Sequence, residues 1–219
     1  MYETIPGILE KEWSEIERKI ELVLPFAKTI HIDIVDGKFA DNITFIDPKP
    51  FAKYTNPSTG SGLFFELHMM VEEPINYLKP WADVGFKRFL GHVEKMENQI
   101  EFIAQGQMLG EVGFALDGPT QLDAIGVPVD DLDSLLFMGV KAGFSGQEFN
   151  EEFIKKMEML KDTTWIPFGV EGGINDQNVV KAAKMGATRL VSNSFLFKGN
   201  PQDQYNILEN LLSTDAEKS

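Results

Sequence analysis

A histidine and an aspartate stand two positions apart in the segment HIDIVDG, where His31 and Asp33 alternate with isoleucines. Side chains alternate between the two faces of a β-strand, so a strand here places both polar residues on one face. A later apolar segment, FFELHMM, carries His68 on one face with Glu66. Ionisable side chains on a face that should enter an apolar core indicate a chemical role.

A third acidic residue, Glu171, ends another apolar segment, in VEGG. Barrel enzymes place their chemistry at the carboxyl ends of the strands, so these groups are expected to converge there. Burying ionised groups together without a compensating ion or substrate costs several kcal/mol each, roughly. The chain contains no cysteine. The set therefore predicts one divalent metal ion (zinc, iron, manganese or cobalt) held by His31, Asp33, His68 and Glu171.

Each histidine also has a simpler interpretation. A single inward histidine is more often a hydrogen-bonded core residue than a metal ligand, and this holds for His31 and His68 taken separately. His92, in LGHVE, has no comparable neighbours in the sequence and is interpreted as a rim or structural histidine. Met70 and Met138 are core residues in any barrel, and only their position connects them with the predicted site.

Glycine-rich segments supply a second functional signal, because KAGFSGQEF, EGGIND and VSNS each precede a predicted helix. Backbone N–H groups near helix N-termini bind phosphate, and barrels often build such a site after strands seven and eight. Gly172 and Gly173 on their own are also explained by a tight turn. Together the three segments predict a phosphate site on the same face as the metal site.

Apolar and β-branched segments recur at regular intervals, with helical patterns between them. Strands that are each followed by a helix predict an α/β fold, a single (β/α)8 barrel over residues 1–219, although a doubly wound open sheet uses similar units. The tail from 213 to 219 is expected to fray. The predicted strands are GILE, TIHIDIV, LFFELHMMV, KRFLGHVE, EVGFAL, SLLFMGV, WIPFGV and RLVSN, and the helical patterns include 11–27, 150–160 and 175–186, the last between an Asn175 N-cap and a Gly186 stop.

Size and composition favour one soluble domain, since 219 residues with 43% hydrophobic content form one large core. No segment approaches the roughly 18 apolar residues of a membrane span, and no signal region follows Met1, so a cytoplasmic location is expected. The formal charge of −14 opposes binding to nucleic acid or to anionic lipid. We therefore expect neither nucleic acid nor a membrane as a partner.

Four segments in chain order resemble the successive motifs of the ribulose-phosphate 3-epimerase family: HIDIVDGKFADNITF, ELHMMVEEPINYL, FMGVKAGFSGQEF and VEGGIND…GATRLVSNSFLF. The resemblance extends over nearly the whole chain and implies a barrel that inverts one carbon of a ketose phosphate with a bound divalent metal, commonly as a homo-oligomer. It implies that Asp33 and Glu171 are also the acid–base groups. The implied substrate-contact positions are Gly7, His68, Met70, Met138, Gly143, Phe144, Ser145, Gly146, Gly172, Gly173, Asn193 and Ser194.

The implied reaction is inversion at C3, with D-ribulose 5-phosphate to D-xylulose 5-phosphate as the first expectation. Removing a proton from one face and returning one to the other, through an enediolate, requires carboxyl groups on both sides. The chain departs from the family pattern where Gly7 replaces a serine, Val35 a methionine, Ser145 and Asn193 glycines, and Glu171 an aspartate. Two alternatives therefore stay open: an epimerase of a hexulose phosphate, favoured by the changes at positions 7, 35 and 193, and a noncatalytic phosphosugar-binding protein.

Overall fold

The computed structural model describes residues 2–55 and 62–216, in which eight parallel strands form a closed barrel in chain order. β8 closes on β1, with Glu3 opposite Arg189 and Pro6 opposite Ser192. The barrel prediction is therefore confirmed over the open-sheet alternative. The strands are β1 Glu3–Ile8, β2 Thr29–Val35, β3 Phe64–Met70, β4 Arg88–His92, β5 Glu111–Leu116, β6 Ser134–Met138, β7 Phe168–Glu171 and β8 Ala187–Ser192.

Alternation along β2 divides its side chains between two environments. Ile32 and Ile34 belong to the main apolar core between the barrel and the helices. Removing such side chains from water stabilises the fold by about 1.5–3 kcal/mol each. The side chains at the alternate positions point into the barrel, where the strand register places Asp33 opposite His68 of β3. The polar face of this strand thus points into the barrel because the apolar face is needed outside.

Helices cover the outside of the barrel, and α1 shows how the sequence directs them. Ile16, Ile20 and Val23 recur at helical spacing and are buried. Trp13 begins the helix and packs edge-on against Phe51, with 4.9 Å between the ring centroids. The predicted helix here is confirmed with narrower bounds. The helices are α1 Trp13–Val23, α2 Ala52–Thr55, α3 Ile75–Asp83, α4 Gln99–Gln107, α5 Glu151–Ile154, α6 Val179–Lys184, α7 Ser194–Phe197 and α8 Pro201–Ala216.

The connection between β5 and β6 contains no α-helix, so the prediction that every strand is followed by one is wrong here. Two 3₁₀ turns, Leu122–Ala124 and Val129–Asp131, take its place. The segment DGPTQLDAIGVPVDD carries glycines and prolines, which disfavour a continuous helix. Lys156 holds the start of this segment, because its Nζ donates to backbone carbonyl oxygens within residues 117–120 at 2.5 to 3.0 Å.

The first and seventh strands begin at different residues from those predicted. β1 begins at Glu3 rather than Gly7, because residues from Glu3 to Pro6 pair with β8. β7 begins at Phe168 rather than Trp165, whose side chain is 99% exposed. The buried part of each segment, and not its whole apolar run, forms the strand.

Helix ends also differ from prediction. The expected Asn175 N-cap is wrong, because α6 begins after Asn178, and Asn175 accepts a hydrogen bond from the Gln177 N–H in the preceding turn. Gly186 is confirmed as the stop, with φ +119°. The pattern over 150–160 forms the short α5 followed by a 3₁₀ turn, Lys155–Met159.

The C-terminal helix reaches into the tail that was expected to fray. α8 continues to Ala216, and its buried residues include Leu208 and Leu212. Residues 213–216 are therefore helical rather than frayed, and 217–219 lie outside the described residues. No helix within the described segments combines the length and apolar character that crossing a membrane requires.

Candidate active site and metal centre

The four predicted metal ligands converge at the carboxyl end of the barrel. One ligand atom from each of His31, Asp33, His68 and Glu171 lies within 4.8 Å of the others. Oε2 of Glu171 lies 3.1 Å from Nε2 of His31 and 2.9 Å from Nδ1 of His68. Oδ1 of Asp33 lies 3.3 and 2.8 Å from the same two nitrogens. Neighbouring strands β2 and β3 supply three of these side chains, and β7 supplies the fourth at its last residue.

Hydrogen bonds behind the imidazoles select the nitrogens that face this cluster. Nδ1 of His31 lies 2.6 Å from Oε1 of Glu66. An ionised carboxylate only accepts, so Nδ1 carries the hydrogen and Nε2 faces the cluster. Nε2 of His68 lies 2.9 Å from Nε2 of His92, whose Nδ1 lies 2.9 Å from Glu94. Glu94 holds the hydrogen on Nδ1 of His92, so a neutral His92 accepts from His68 and leaves Nδ1 of His68 facing the cluster.

Among the described residues, buried polar atoms without a hydrogen bond include Nε2 of His31, Oδ2 of Asp33 and Oε2 of Glu171. The His31 and Glu171 atoms lie at ion-pair distance, 3.1 Å, but do not meet hydrogen-bond geometry. Two imidazole nitrogens and two carboxylate oxygens match the ligand preferences of zinc, iron, manganese and cobalt. The residues present therefore fit a divalent metal ion.

Opposite charges inside the cluster shift the pKa values of its members. Burial alone lowers the pKa of both histidines, but Glu171 and Asp33 outweigh it. They raise the pKa of His31 well above its ordinary value and the pKa of His68 to about 9. Burial alone raises the pKa of Glu171, but the two histidines outweigh it and lower that pKa. Without a metal ion, imidazolium–carboxylate pairs thus hold the cluster together at neutral pH.

We expect the melting temperature of the metal-free protein to fall as the pH rises from 6.5 to 9. The pKa of His68 is about 9 in the folded protein and roughly 6.5 in the unfolded chain. The ion pairs of His68 therefore stabilise the fold fully below pH 6.5, and this stabilisation is lost as the pH rises through about 9. A divalent ion binds the deprotonated nitrogens, so the metal-loaded protein keeps or gains stability over this range. Calorimetry of both forms measures the difference. If the melting temperatures of the two forms changed with pH in parallel, protons and metal would not compete for the histidine nitrogens.

Of the two positions predicted for His92, rim or structural, the structure supports the structural one. Its side chain is fully buried and stacks on His68, with 5.0 Å between the ring centroids. Burial lowers the pKa of His92 even though the adjacent Glu94 raises it, which is consistent with a neutral acceptor. Side-chain alternation along β4 could have predicted that His92 lies inside the barrel, because His92 shares a face with Leu90, which lies there.

A cavity opens at the edge of the cluster, bordered by the loops that follow β6, β7 and β8. Glu171 lines this cavity, whereas His68 is fully buried and is not part of the lining. Most of the predicted substrate-contact residues line it, namely Met70, Met138, Gly143, Phe144, Ser145, Gly146, Gly172, Gly173, Asn193 and Ser194. The structure thus places the glycine-rich segments and Glu171 of the cluster around one space.

Gly7, like His68, is a predicted substrate-contact position outside the lining of this cavity. A Cβ built on Gly7 would lie 2.8 Å from Cγ1 of Val191, closer than side-chain carbons pack. Val191 lines the cavity itself. The space that a serine would need at position 7 is therefore filled by the neighbouring strand.

Two glycines after β7 need their lack of a side chain. Gly172 and Gly173 have φ values of +96° and +73°, which favour glycine. A Cβ on Gly172 would lie 2.5 Å from Val140, and one on Gly173 would lie 2.9 Å from the backbone nitrogen of Phe149. The backbone therefore packs closely here and borders the cavity directly. Across the mouth, Asn42 donates to the carbonyl oxygen of Gly143 at 2.8 Å.

Comparison with known proteins identifies the family. The model described as "Ribulose-phosphate 3 epimerase family" matches residues 3–197. The chain belongs to this family. The ribulose-phosphate 3-epimerase of Schizosaccharomyces pombe is 32% identical over 91% of this chain and 88% of its own length, and that of Chlamydia muridarum is 31% identical over 88% and 85%. This member of the family is thus an enzyme of the carbohydrate-epimerase kind, which favours catalysis over the noncatalytic alternative.

Solved structures with little sequence identity share the fold. The 3-keto-L-gulonate-6-phosphate decarboxylase from Vibrio cholerae is 12% identical and superposes with a TM-score of 0.74 over 97% of this chain and 98% of its own. The phosphoribosyl anthranilate isomerase from Thermus thermophilus is 15% identical, with a TM-score of 0.66 over 98% and 99%. At this identity the likeness supports the barrel architecture alone.

Proposed function

We propose that this family member inverts C3 of a ketose phosphate and that its substrate pair is D-ribulose 5-phosphate and D-xylulose 5-phosphate. The observation that carries the proposal is the joint burial of two carboxylates, Asp33 and Glu171, between two imidazoles beside a cavity bordered by glycine-rich loops. Family membership supplies the reaction class. The cluster supplies the groups that such a reaction requires.

The two carboxylates divide the proton transfer between opposite faces of the substrate carbon. One, as a carboxylate, takes the C3 proton as the C–H bond breaks and becomes a carboxylic acid. The other starts as a carboxylic acid, gives its proton to the opposite face of the enediolate as a new C–H bond forms, and becomes a carboxylate. Their roles exchange in the reverse direction. A glutamate carboxyl is ionised at neutral pH, so Glu171 can act as the base in one direction. Met70 and Met138 line the cavity as apolar walls, which keep water from the enediolate face.

His31, Asp33, His68 and Glu171 would hold the divalent metal ion. When bound, such an ion supplies Lewis-acid stabilisation of the negative charge on the substrate oxygens. Backbone N–H groups of the glycine-rich loops would bind the phosphate and orient the sugar far from the reacting carbon.

A hexulose phosphate is the second candidate substrate. A second cavity shares Gly146, Gln147, Gly173 and Ser194 with the first, and Lys198 lies in its wall. A longer sugar can extend from one cavity into the other and place its phosphate near this cation. The second cavity is therefore a specific reason to test six-carbon substrates.

A direct epimerase assay on both substrates tests the proposal. We expect kcat/KM for D-ribulose 5-phosphate to exceed that for hexulose 6-phosphates by at least roughly tenfold, since one further carbon in a fitted pocket changes binding by about 1–3 kcal/mol. D-ribulose 5-phosphate should also raise the melting temperature, whereas unphosphorylated ribulose should not. A preference for the hexulose phosphate would favour the second candidate, and equal shifts from both sugars would contradict the phosphate site.

A further inference from the structure

Glu66 is a buried carboxylate outside the four predicted ligands, and its two oxygens face different partners. It lies on β3, is fully buried, and its Oε1 lies 2.6 Å from Nδ1 of His31. Its Oε2 accepts from Nη1 of Arg88 at 2.7 Å and from Nη2 of Arg189. One side chain therefore joins a metal-ligand histidine to two guanidinium groups.

The two arginines fix the chemical state of Glu66. A guanidinium stays protonated in proteins and donates only, so both groups stabilise an ionised carboxylate on the Oε2 side. An ionised carboxylate has no hydrogen to give to His31. The hydrogen of a neutral His31 must then lie on Nδ1, and Nε2 is left with the lone pair that a metal ion requires.

The arginines are themselves held at the amino ends of the strands. Arg88 donates through Nε to Glu111 at 2.7 Å, and its Nη2 lies 2.6 Å from the same carboxylate. Nε of Arg189 lies 3.8 Å from Glu3. These contacts connect β1, β3, β4, β5 and β8, so the position of Glu66 is set by the closed barrel and not by a flexible loop.

We propose that Glu66 is a positioning residue that holds the ring and the tautomer of His31, with Arg88 and Arg189 holding Glu66 in turn. The inference rests on the proposed function only in taking a divalent metal as the ligand of His31. A carboxylate behind a metal-bound histidine fixes the ring and increases the basicity of the ligating nitrogen, and its loss typically weakens metal binding by 10–100-fold, roughly. A purely structural carboxylate would neutralise the arginines without affecting the metal.

Substitution Glu66→Gln keeps the shape of the side chain and tests the proposal. The amide can donate through its nitrogen to Nδ1 of His31, which permits the tautomer with the hydrogen on Nε2. We expect zinc affinity, measured by competition with a chromophoric chelator on protein without an affinity tag, to fall by roughly 10–100-fold. Glu111→Gln is the matched control, because it removes a carboxylate partner of Arg88 that does not contact His31. Its zinc affinity should stay within roughly twofold of wild type.

Imidazole ¹⁵N spectra show which nitrogen of His31 carries the hydrogen, a property that a purely structural role of Glu66 would not affect. The chain has three histidines, so the signals of His31 can be separated. We expect the zinc-loaded wild type to carry the His31 hydrogen on Nδ1, and this can be checked even if Glu66→Gln does not fold. A hydrogen on Nε2 in the wild type, or equal zinc affinity in wild type and Glu66→Gln, would overturn the proposal. Because zinc is the probe, a failure to epimerise any ketose phosphate would overturn the proposed reaction and leave the Glu66 result standing.

Discussion

Glu171→Gln is expected to lower the turnover of D-ribulose 5-phosphate by roughly a thousandfold, the scale of a lost general acid–base group. The amide retains the shape of the glutamate but cannot accept or return the proton. Asp33→Asn should have an effect of similar size, because each carboxylate serves one face of the substrate. An epimerase assay with metal content measured in every sample separates lost proton transfer from lost metal.

Solvent exchange distinguishes the two-carboxylate mechanism from simple inactivation. In Glu171→Gln, Asp33 can still remove and return a proton on its own face, so heavy water should introduce deuterium at C3 without inversion. Glu72→Gln is a matched control, since Glu72 makes an exposed ion pair with Lys38 at 2.7 Å. Its activity should equal that of wild type. Wild-type activity in metal-bound Glu171→Gln would show that the two-carboxylate mechanism is wrong.

The length of the Glu171 side chain can be tested separately. Glu171→Asp restores the residue of the family pattern and shortens the side chain by one methylene. If glutamate performs the aspartate role with less favourable geometry, the variant should keep or raise epimerase activity, because small displacements of a reacting group change rate strongly. A large loss in Glu171→Asp would show that the rest of the cluster has adapted to the longer side chain.

Strand parity is the reason that the sequence could predict which side chains meet in the cluster of His31, Asp33, His68 and Glu171. A β-strand has a side-chain period of two, so the outward isoleucines of β2 determine that His31 and Asp33 point inward. Parallel pairing then places Asp33 beside His68. Glu171 follows from the same rule, because it ends a strand at the edge where barrel sites are built.

Contacts that depend on barrel closure could not be predicted in this way. Glu66 meets Arg189, which is 123 positions away and lies on a strand that is not its neighbour. Parity places Glu66 and His92 inside the barrel, but only the curvature of the closed sheet shows which inward side chains touch. Likewise, the exclusion of a side chain at Gly7 depends on the rotamer of Val191.

Substitution of His31 or His68 is expected to have the other large effect, a loss of bound metal. We expect the purified protein to hold roughly one divalent metal ion per chain, and His31→Ala or His68→Ala to reduce this to under roughly a tenth, since each removes one of the four predicted ligands. His92→Ala is the comparison variant. It removes a side chain that touches His68 from behind, so metal affinity should fall by 10–100-fold, roughly, but the site should still load at high metal concentration.

Removing a histidine also removes an ion-pair partner of the buried carboxylates. The stability of the metal-free protein is therefore a second measurement beside metal content. In metal-free wild type, Asp33 and Glu171 are buried against two protonated imidazoles. His68→Ala leaves them with one, and a buried charge without its partner costs about 3–5 kcal/mol. Metal-free His68→Ala should therefore be less stable than metal-free wild type at pH 6.5, with a smaller difference at pH 9, where the ion pairs of His68 in wild type are partly lost. Elemental analysis and thermal unfolding at both pH values measure these effects together. If wild type takes up no zinc, iron, manganese or cobalt while the pH-dependent stability difference is still observed, the cluster is an ion-pair network and not a metal centre.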